Sequence, residues 1–174
     1  MNLPANFIPP LENGDQLSRA EFERRYDAMP NLKKAELIEG IVYMAPPLRF
    51  ESHAKPHSAM MMWLTHYWVA TPGIRLGDNA TVRFNENNEY QPDAGLFLPS
   101  SCGGKAIITA DDYIQGAPEL IVEIAASTSS YDFHTKRRIY ERCMVQEYVL
   151  WRVYDQQIDW FSLQENHYVN ELHE

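Results

Sequence analysis

The chain reads as an α/β or α+β protein in which one mixed β-sheet is flanked by helices. Three observations predict this. His57–Ala70 carries Met60, Met61, Trp63, Leu64, Tyr67 and Trp68 at helical spacing. A run of short apolar stretches is bounded by Gly, Asn and Pro clusters, as strands are. The two kinds of element also alternate along the chain with no internal repeat, no low-complexity segment and no linker between two cores. At 174 residues, with 45% hydrophobic and 12% aromatic content, the sequence suits one folded domain with a substantial core.

Taken in order, residues 1–15 are rich in Pro and Asn and form an irregular arm, and residues 16–174 form the domain. Ser18 and Glu21 make a capping box, so a short helix runs from Ser18 through Phe22 and Tyr26 to the stop at Pro30. Ala35–Met44 alternates apolar with polar around Glu39-Gly40, which reads as the tip of a β-hairpin that Pro46 and Pro47 close off. After the helix His57–Ala70 and the turn Thr71-Pro72-Gly73, strands are expected at Ile74–Leu76, Thr81–Phe84 and Pro92–Leu98, with Asn85–Asn88 as a hairpin loop. The apolar face of His57–Ala70 is read as core rather than as a ligand box. Pro99–Asp112 contains Cys102-Gly103-Gly104-Lys105, but Pro99 stands where a phosphate loop needs glycine and Ala106 where it needs a hydroxyl, so the segment is expected to be a mobile loop. Glu119–Ala125 is the next strand, Tyr131–Met144 the next helix with Ser129 or Ser130 as its cap, and Glu147–Val153 and Gln157–Leu163 are strands, followed by a short piece near Tyr168.

Charge and cysteine content narrow the function classes. A net charge of −9 argues against a broad phosphate-gripping surface, so contact with nucleic acid must be local. The densest basic run is Lys136, Arg137, Arg138 and Arg142. Cys102 and Cys143 are too few for a disulfide framework and too far apart for a metal knuckle, which points to a reducing, cytoplasmic setting. MNLPANFIPP lacks the basic and apolar parts of an export signal, and no segment has the apolar length of a membrane span.

The chemistry concentrates in two strands. Asp93 stands where the chain enters an apolar strand after Pro92, and alternation puts Glu119, Ile121, Glu123 and Ala125 on one face of another. An ionised acid within such a run costs several kcal/mol unless it is compensated. Two carboxylates on neighbouring strands suit Mg²⁺ or Mn²⁺, which keep several waters, and Lys136 from the following helix could stabilise charge on a phosphate. The alternative is a buried structural ion pair of Glu123 with Lys136 or Arg137. His53 and His57, four apart, could share a helical face as a metal pair, but Pro56 argues that the helix begins only there, leaving them an orienting or exposed role. Ser127–Ser130 lacks the glycine elbow of a nucleophile loop.

Pro92-Asp93, Glu123 thirty residues later inside IVEIAAST, Tyr131-Asp132, and Lys136 followed by Tyr140 resemble the PD-(D/E)XK nuclease superfamily. With ELIEGIVYMAPP, a helix opening with His, and EYVLWRV, the chain is similar over residues 15–169 to the Uma-type restriction endonuclease family. The resemblance implies a restriction-endonuclease-like fold and a Mg²⁺- or Mn²⁺-dependent endonuclease acting on DNA. By position, it implies Asp93 and Glu123 as metal ligands with the main-chain carbonyl of Ile124, an additional acid at Glu39 or, second in order, Glu36, and a match for the family's histidine at His53. The signature lysine two positions after the glutamate is Ala125 here, so Lys136 must supply that charge. A second class of reading keeps the nuclease-like fold as a binding or assembly module, for example a homodimer, without turnover.

Overall fold

Ser18 starts the first helix where the capping box places it. In the computed structural model, which describes residues 7–125 and 132–172, α1 spans Arg19–Asp27 and the Glu21 amide donates to the Ser18 hydroxyl at 3.4 Å. The expected hairpin follows as β1 (Ala35–Ile38) and β2 (Ile41–Met44), with Ile38 opposite Ile41. Glu39 and Gly40 between them both have positive φ, 51° and 81°. That is the two-residue turn whose twist matches the strands, and Gly takes the second position without steric cost.

The chain divides into two compact units, residues 1–46 with 83–91, and residues 47–82 with 92–174. In the first, the strands lie in the order β2-β1-β5-β4, where β4 is Val82–Asn85 and β5 is Asn88–Tyr90. Its core gathers Leu11, Phe22, Ala35, Leu37 and Val42. The polar run at 85–88 reads as loop by composition, yet β5 begins within it at Asn88. The reason is side-chain hydrogen bonding: Asn88 Oδ1 accepts from the Glu39 amide at 2.9 Å and from the Tyr90 hydroxyl at 2.6 Å, and Asn85 Oδ1 accepts from the Asn87 amide at 3.0 Å. These bonds satisfy a polar side chain that is 6% exposed, which makes a buried Asn compatible with a strand.

The second unit holds a six-stranded sheet in the order β12-β11-β10-β9-β6-β3. The strands are β3 (Arg75–Asp78), β6 (Ala94–Phe97), β9 (Leu120–Ala125), β10 (Glu147–Arg152), β11 (Gln157–Gln164) and β12 (His167–Asn170). Only the β9–β10 pair is parallel and the other four pairs are antiparallel, so the sheet is mixed, as expected. All six residues of β9 are buried, the mark of a central strand covered on both faces. Helix α2 (Lys55–Ala70) packs Met60 and Leu64 against Ala94, Leu96, Leu120, Val122, Ile124 and Val149. The parallel β9–β10 pair requires a long crossover, and that crossover carries α3 (Arg137–Arg142).

Two expectations are corrected. Pro99–Asp112 is not a featureless loop: it forms a 3₁₀ turn at Ser100–Cys102 and then β7 (Ile107–Ile108), which pairs with β8 (Ile114–Gln115). The Tyr131–Met144 helix is a π-helical turn over Asp132–Lys136 followed by α3, and Met144 at φ 64° ends it. The proposed caps Ser129 and Ser130, together with Ser127, Thr128 and Tyr131, lie outside the described residues. Among the described residues no helix is long and apolar enough to cross a membrane.

Glu89 of the first unit is 3% exposed, with Arg83 Nε 3.5 Å from its Oε2 and 2.8 Å from Glu23 Oε1. Burial, reinforced by a hydrogen bond to Glu23, pushes the Glu89 carboxyl from 4.5 up to about 8, against the pull of Arg83 and Arg19. The native state therefore keeps a proton that the unfolded chain has released, so Glu89's contribution to stability falls as pH rises from 4.5 to about 8. Urea unfolding across that window should show Glu89→Gln with a flatter decline than the native chain and a higher midpoint at pH 8. Identical pH slopes for the two proteins would remove Glu89 as their source.

Candidate active site

Strand register brings the two predicted acids together. Ala94 faces Val122 and Gly95 faces Ile121 in the antiparallel β6–β9 pair, and carrying that register one residue further sets Asp93 opposite Glu123. Both are buried, 3% and 4% exposed. On each carboxylate, two donors converge on one oxygen. Asp93 Oδ2 accepts from the Ile124 amide at 2.7 Å and lies 3.2 Å from His53 Nε2. Glu123 Oε1 accepts from Lys136 Nζ at 2.9 Å and from the Tyr140 hydroxyl at 2.7 Å. Bonds of this kind to ionised oxygens are about twice as strong as neutral ones, and they offset part of the desolvation cost.

The crossover explains how Lys136 reaches Glu123. Lys136 and Tyr140 are four apart, one above the other on the helical path that returns from β9 to β10. Tyr140 is fully buried and packs edge-on against Tyr148 at 5.1 Å, and Tyr148 is the β10 partner of Ile121. That aromatic contact sets the helix over the face of β9 that carries Ile121 and Glu123. Lys136 is itself 5% exposed, so the Glu123–Lys136 ion pair is a buried one. Ala125, in the place of the signature lysine, is 1% exposed at the end of β9. Arg137 stacks over the Phe161 ring at 5.1 Å, whereas Arg138 and Arg142 are exposed.

The main chain adds a third oxygen. Odd-numbered carbonyls of this stretch point toward β10, since Glu119 O accepts from the Glu147 amide at 2.8 Å and Ala125 O from the Val153 amide at 3.2 Å. Ile124 therefore presents both its N–H and its C=O to the opposite edge, where its amide meets Asp93. The β6–β9 pairing ends with Ala94 opposite Val122, and Pro92, two residues before it, has no N–H to give. Two facing buried carboxylates and a carbonyl on the same edge form a hard-oxygen donor set, which fits a small divalent cation that keeps its remaining waters. Among the described residues no group of three or more His, Cys, Asp or Glu side chains is arranged to hold a metal. A cation here would rest on the two acids, the main chain and water.

The histidines differ from the sequence expectation. A π-helical turn over Phe50–Ala54 runs directly into α2, with the Ala54 amide donating to Arg49 O at 3.1 Å. The wider turn accommodates Pro56 in the first turn of α2, so the helical path begins before the proline and His53 and His57 do share a face. Their rings stack 5.8 Å apart at 23°. His57 Nε2 lies 3.0 Å from Asp93 O and 3.2 Å from Asp78 Oδ1. Both contacts are acceptors, so that nitrogen carries a proton and is not a metal ligand. Glu39 and Glu36 belong to the first unit: Glu39 is exposed at the hairpin tip, and buried Glu36 accepts the Gln91 amide on Oε1 at 2.9 Å. Tyr140 and Asp78 drew no role from sequence, although the four-residue spacing of Lys136 and Tyr140 was a usable signal for the former.

Comparison with known proteins agrees with this architecture. The family model described as "Uma2: Putative restriction endonuclease" matches residues 19–173. No curated protein matches the chain. Among solved structures, the crystal structure of a putative nuclease belonging to DUF820 from Anabaena variabilis ATCC 29413 is similar with a TM-score of 0.65 and 15% identity, covering 84% of this chain and 82% of that one. The fold is shared with that structure.

The buried pair makes a stability prediction. Removing one partner leaves an uncompensated buried charge, so Lys136→Met should lower unfolding free energy by about 3–5 kcal/mol in urea titration, and adding Glu123→Leu should recover much of it. A Lys136→Met midpoint equal to that of the native chain would show the pair to be energetically idle.

Proposed function

The chain belongs to the Uma2 family of putative restriction endonucleases, and from that premise we propose that it is a Mg²⁺- or Mn²⁺-dependent endonuclease that hydrolyses phosphodiester bonds of DNA. The observation that carries this reading is the pair of buried, facing carboxylates, Asp93 and Glu123, with a buried lysine on the second. Asp93 and Glu123 would hold the cation together with the Ile124 carbonyl, and Glu39, in the first unit, is the position that the family resemblance gives for an additional acid. When bound, the metal activates water and neutralises charge that develops on the phosphate.

The remaining work falls to the chain's own groups. Lys136 Nζ donates to Glu123 Oε1 at 2.9 Å, beside the proposed cation. By moving toward a phosphate oxygen as charge builds there, its ammonium would replace the function of a lysine at position 125. Tyr140 donates to that same Glu123 oxygen and so fixes the carboxylate while Lys136 shifts between partners. Exposed Arg138 and Arg142 give a local basic surface beside this helix, which is the phosphate contact that a chain of net charge −9 can offer.

One observation favours a second reading. The Glu123–Lys136 pair, completed by Tyr140, already satisfies Glu123 without any metal, as it would in a nuclease-like binding or assembly module that has lost turnover. Cleavage assays separate the two. Glu123→Gln keeps an acceptor for Lys136 and Tyr140 but loses the charge, and with Asp93→Asn it should abolish Mn²⁺-dependent nicking of plasmid DNA while circular dichroism stays native. Lys136→Met should lower kcat by about 10²–10³-fold. Nicking that survives in both acid variants would assign the activity elsewhere, and a native protein inert on every DNA tested with metal would favour the binding module.

The additional acid has its own test. Glu39→Gln should reduce cleavage with little change in thermal midpoint because the side chain is exposed, whereas Glu36→Gln, which keeps an acceptor for the Gln91 amide, should leave cleavage unchanged. Full activity in Glu39→Gln alongside a folded but inactive Glu36→Gln would transfer the role to Glu36.

A further inference from the structure

We propose that His53 is a positioning residue that sets the rotation of the Asp93 carboxylate for metal binding, an inference that rests on the metal-site reading above. His53 Nε2 lies 3.2 Å from Asp93 Oδ2, the same oxygen that accepts the Ile124 amide at 2.7 Å. Two donors from different elements, one from the turn before α2 and one from β9, fix both the position of Oδ2 and the plane of the carboxylate. The second oxygen is then oriented by the same two bonds.

The ring is held for this contact. His53 is 8% exposed, and among the described residues its Nδ1 is buried without a hydrogen-bond partner. A hydrogen on that atom would be buried and unpaired, so the ring hydrogen is assigned to Nε2, which is the donor to Asp93. An imidazole that leaves one nitrogen unsatisfied is a poor choice for core stability alone, because an unpaired buried polar atom costs free energy. What the ring supplies is a donor at the right reach from a rigid support. His57, stacked on it at 5.8 Å, contributes that support: its Nε2 grips the Asp93 carbonyl at 3.0 Å and Asp78 Oδ1 at 3.2 Å. One imidazole thus orients the Asp93 side chain while its neighbour anchors the main chain of the same residue.

The test measures metal affinity rather than activity. Isothermal titration of Mn²⁺ into the native protein, Asp93→Asn, His53→Gln, His53→Asn and His53→Leu is paired with thermal melts of each. Gln carries an amide nitrogen close to the position of Nε2, whereas Asn is polar but too short to reach Asp93. The expected outcome is native-like affinity in His53→Gln and a Kd raised about 10–100-fold in His53→Leu and His53→Asn, the usual effect of removing a group that orients a metal ligand. If His53→Leu fails to fold, the Gln and Asn pair decides alone. Equal, native-like Kd values for folded His53→Gln and His53→Asn would overturn the inference while loss of binding in Asp93→Asn left the metal site standing. Native protein that binds no Mn²⁺, or binds it equally in Asp93→Asn, would overturn the metal-site reading and this inference with it.

Discussion

Placing two acids at facing positions in the middle of a sheet is the constraint on which the second unit depends. Neither Asp93 nor Glu123 has water to solvate it, since they are 3% and 4% exposed, and their mutual repulsion adds to the cost. Compensating donors come from three stretches: the turn before α2, β9 through the Ile124 amide, and the helical path through Lys136 and Tyr140. Helix placement, the parallel crossover and the proline-interrupted entry to α2 can all be read as means of delivering those donors. The fit of a divalent cation is a continuation of the same accounting, because a cation between the acids would relieve the repulsion that the donors only offset.

The two acids are held differently, and the difference suits different tasks. Asp93 is fixed by a main-chain amide and an imidazole N–H, both on short, rigid supports. Glu123 is fixed by an ammonium on a flexible stem and by a rigid phenol. Asp93 is thereby suited to define a position, and Glu123 to share its cation with an incoming anionic group. The same ion pair gives stability in the resting protein and a charge reserve for the proposed reaction, so variants at Lys136 must be judged on folding and on turnover separately.

Much of this was legible in the sequence. An acid inside IVEIAAST and another after Pro92 mark themselves by breaking hydrophobic runs, and a 3.6-residue period is hard to mistake in α2. What could not be read follows from side chains acting as backbone partners. Asn88 makes a strand out of a polar run by accepting from Glu39 and Tyr90, and no propensity argument anticipates that. The hairpin of β7 and β8 escaped because two-residue strands carry almost no pattern, and glycine pairs draw attention to the loop beside them. Pro56 suggested that the helix starts later than it does, because the accommodating turn has hydrogen bonds five residues apart, a geometry too rare to assume. The pairing of Lys136 with Glu123 was foreseen as one of two possibilities. Its completion by Tyr140 depends on how the crossover packs on Tyr148, which is a tertiary fact.

Asp93 also bears on folding fidelity. Strand β6 is only four residues long and contains Gly95, the kind of segment whose pairing slips easily by one position. A slip would turn Ala94 and Leu96 away from the apolar cluster under α2 and would separate Asp93 from the Ile124 amide at one step. The bond from the Ile124 amide to Asp93 forms in the native alignment, so correct pairing of β6 and that bond arise together, and molecules with β6 out of alignment would lack both.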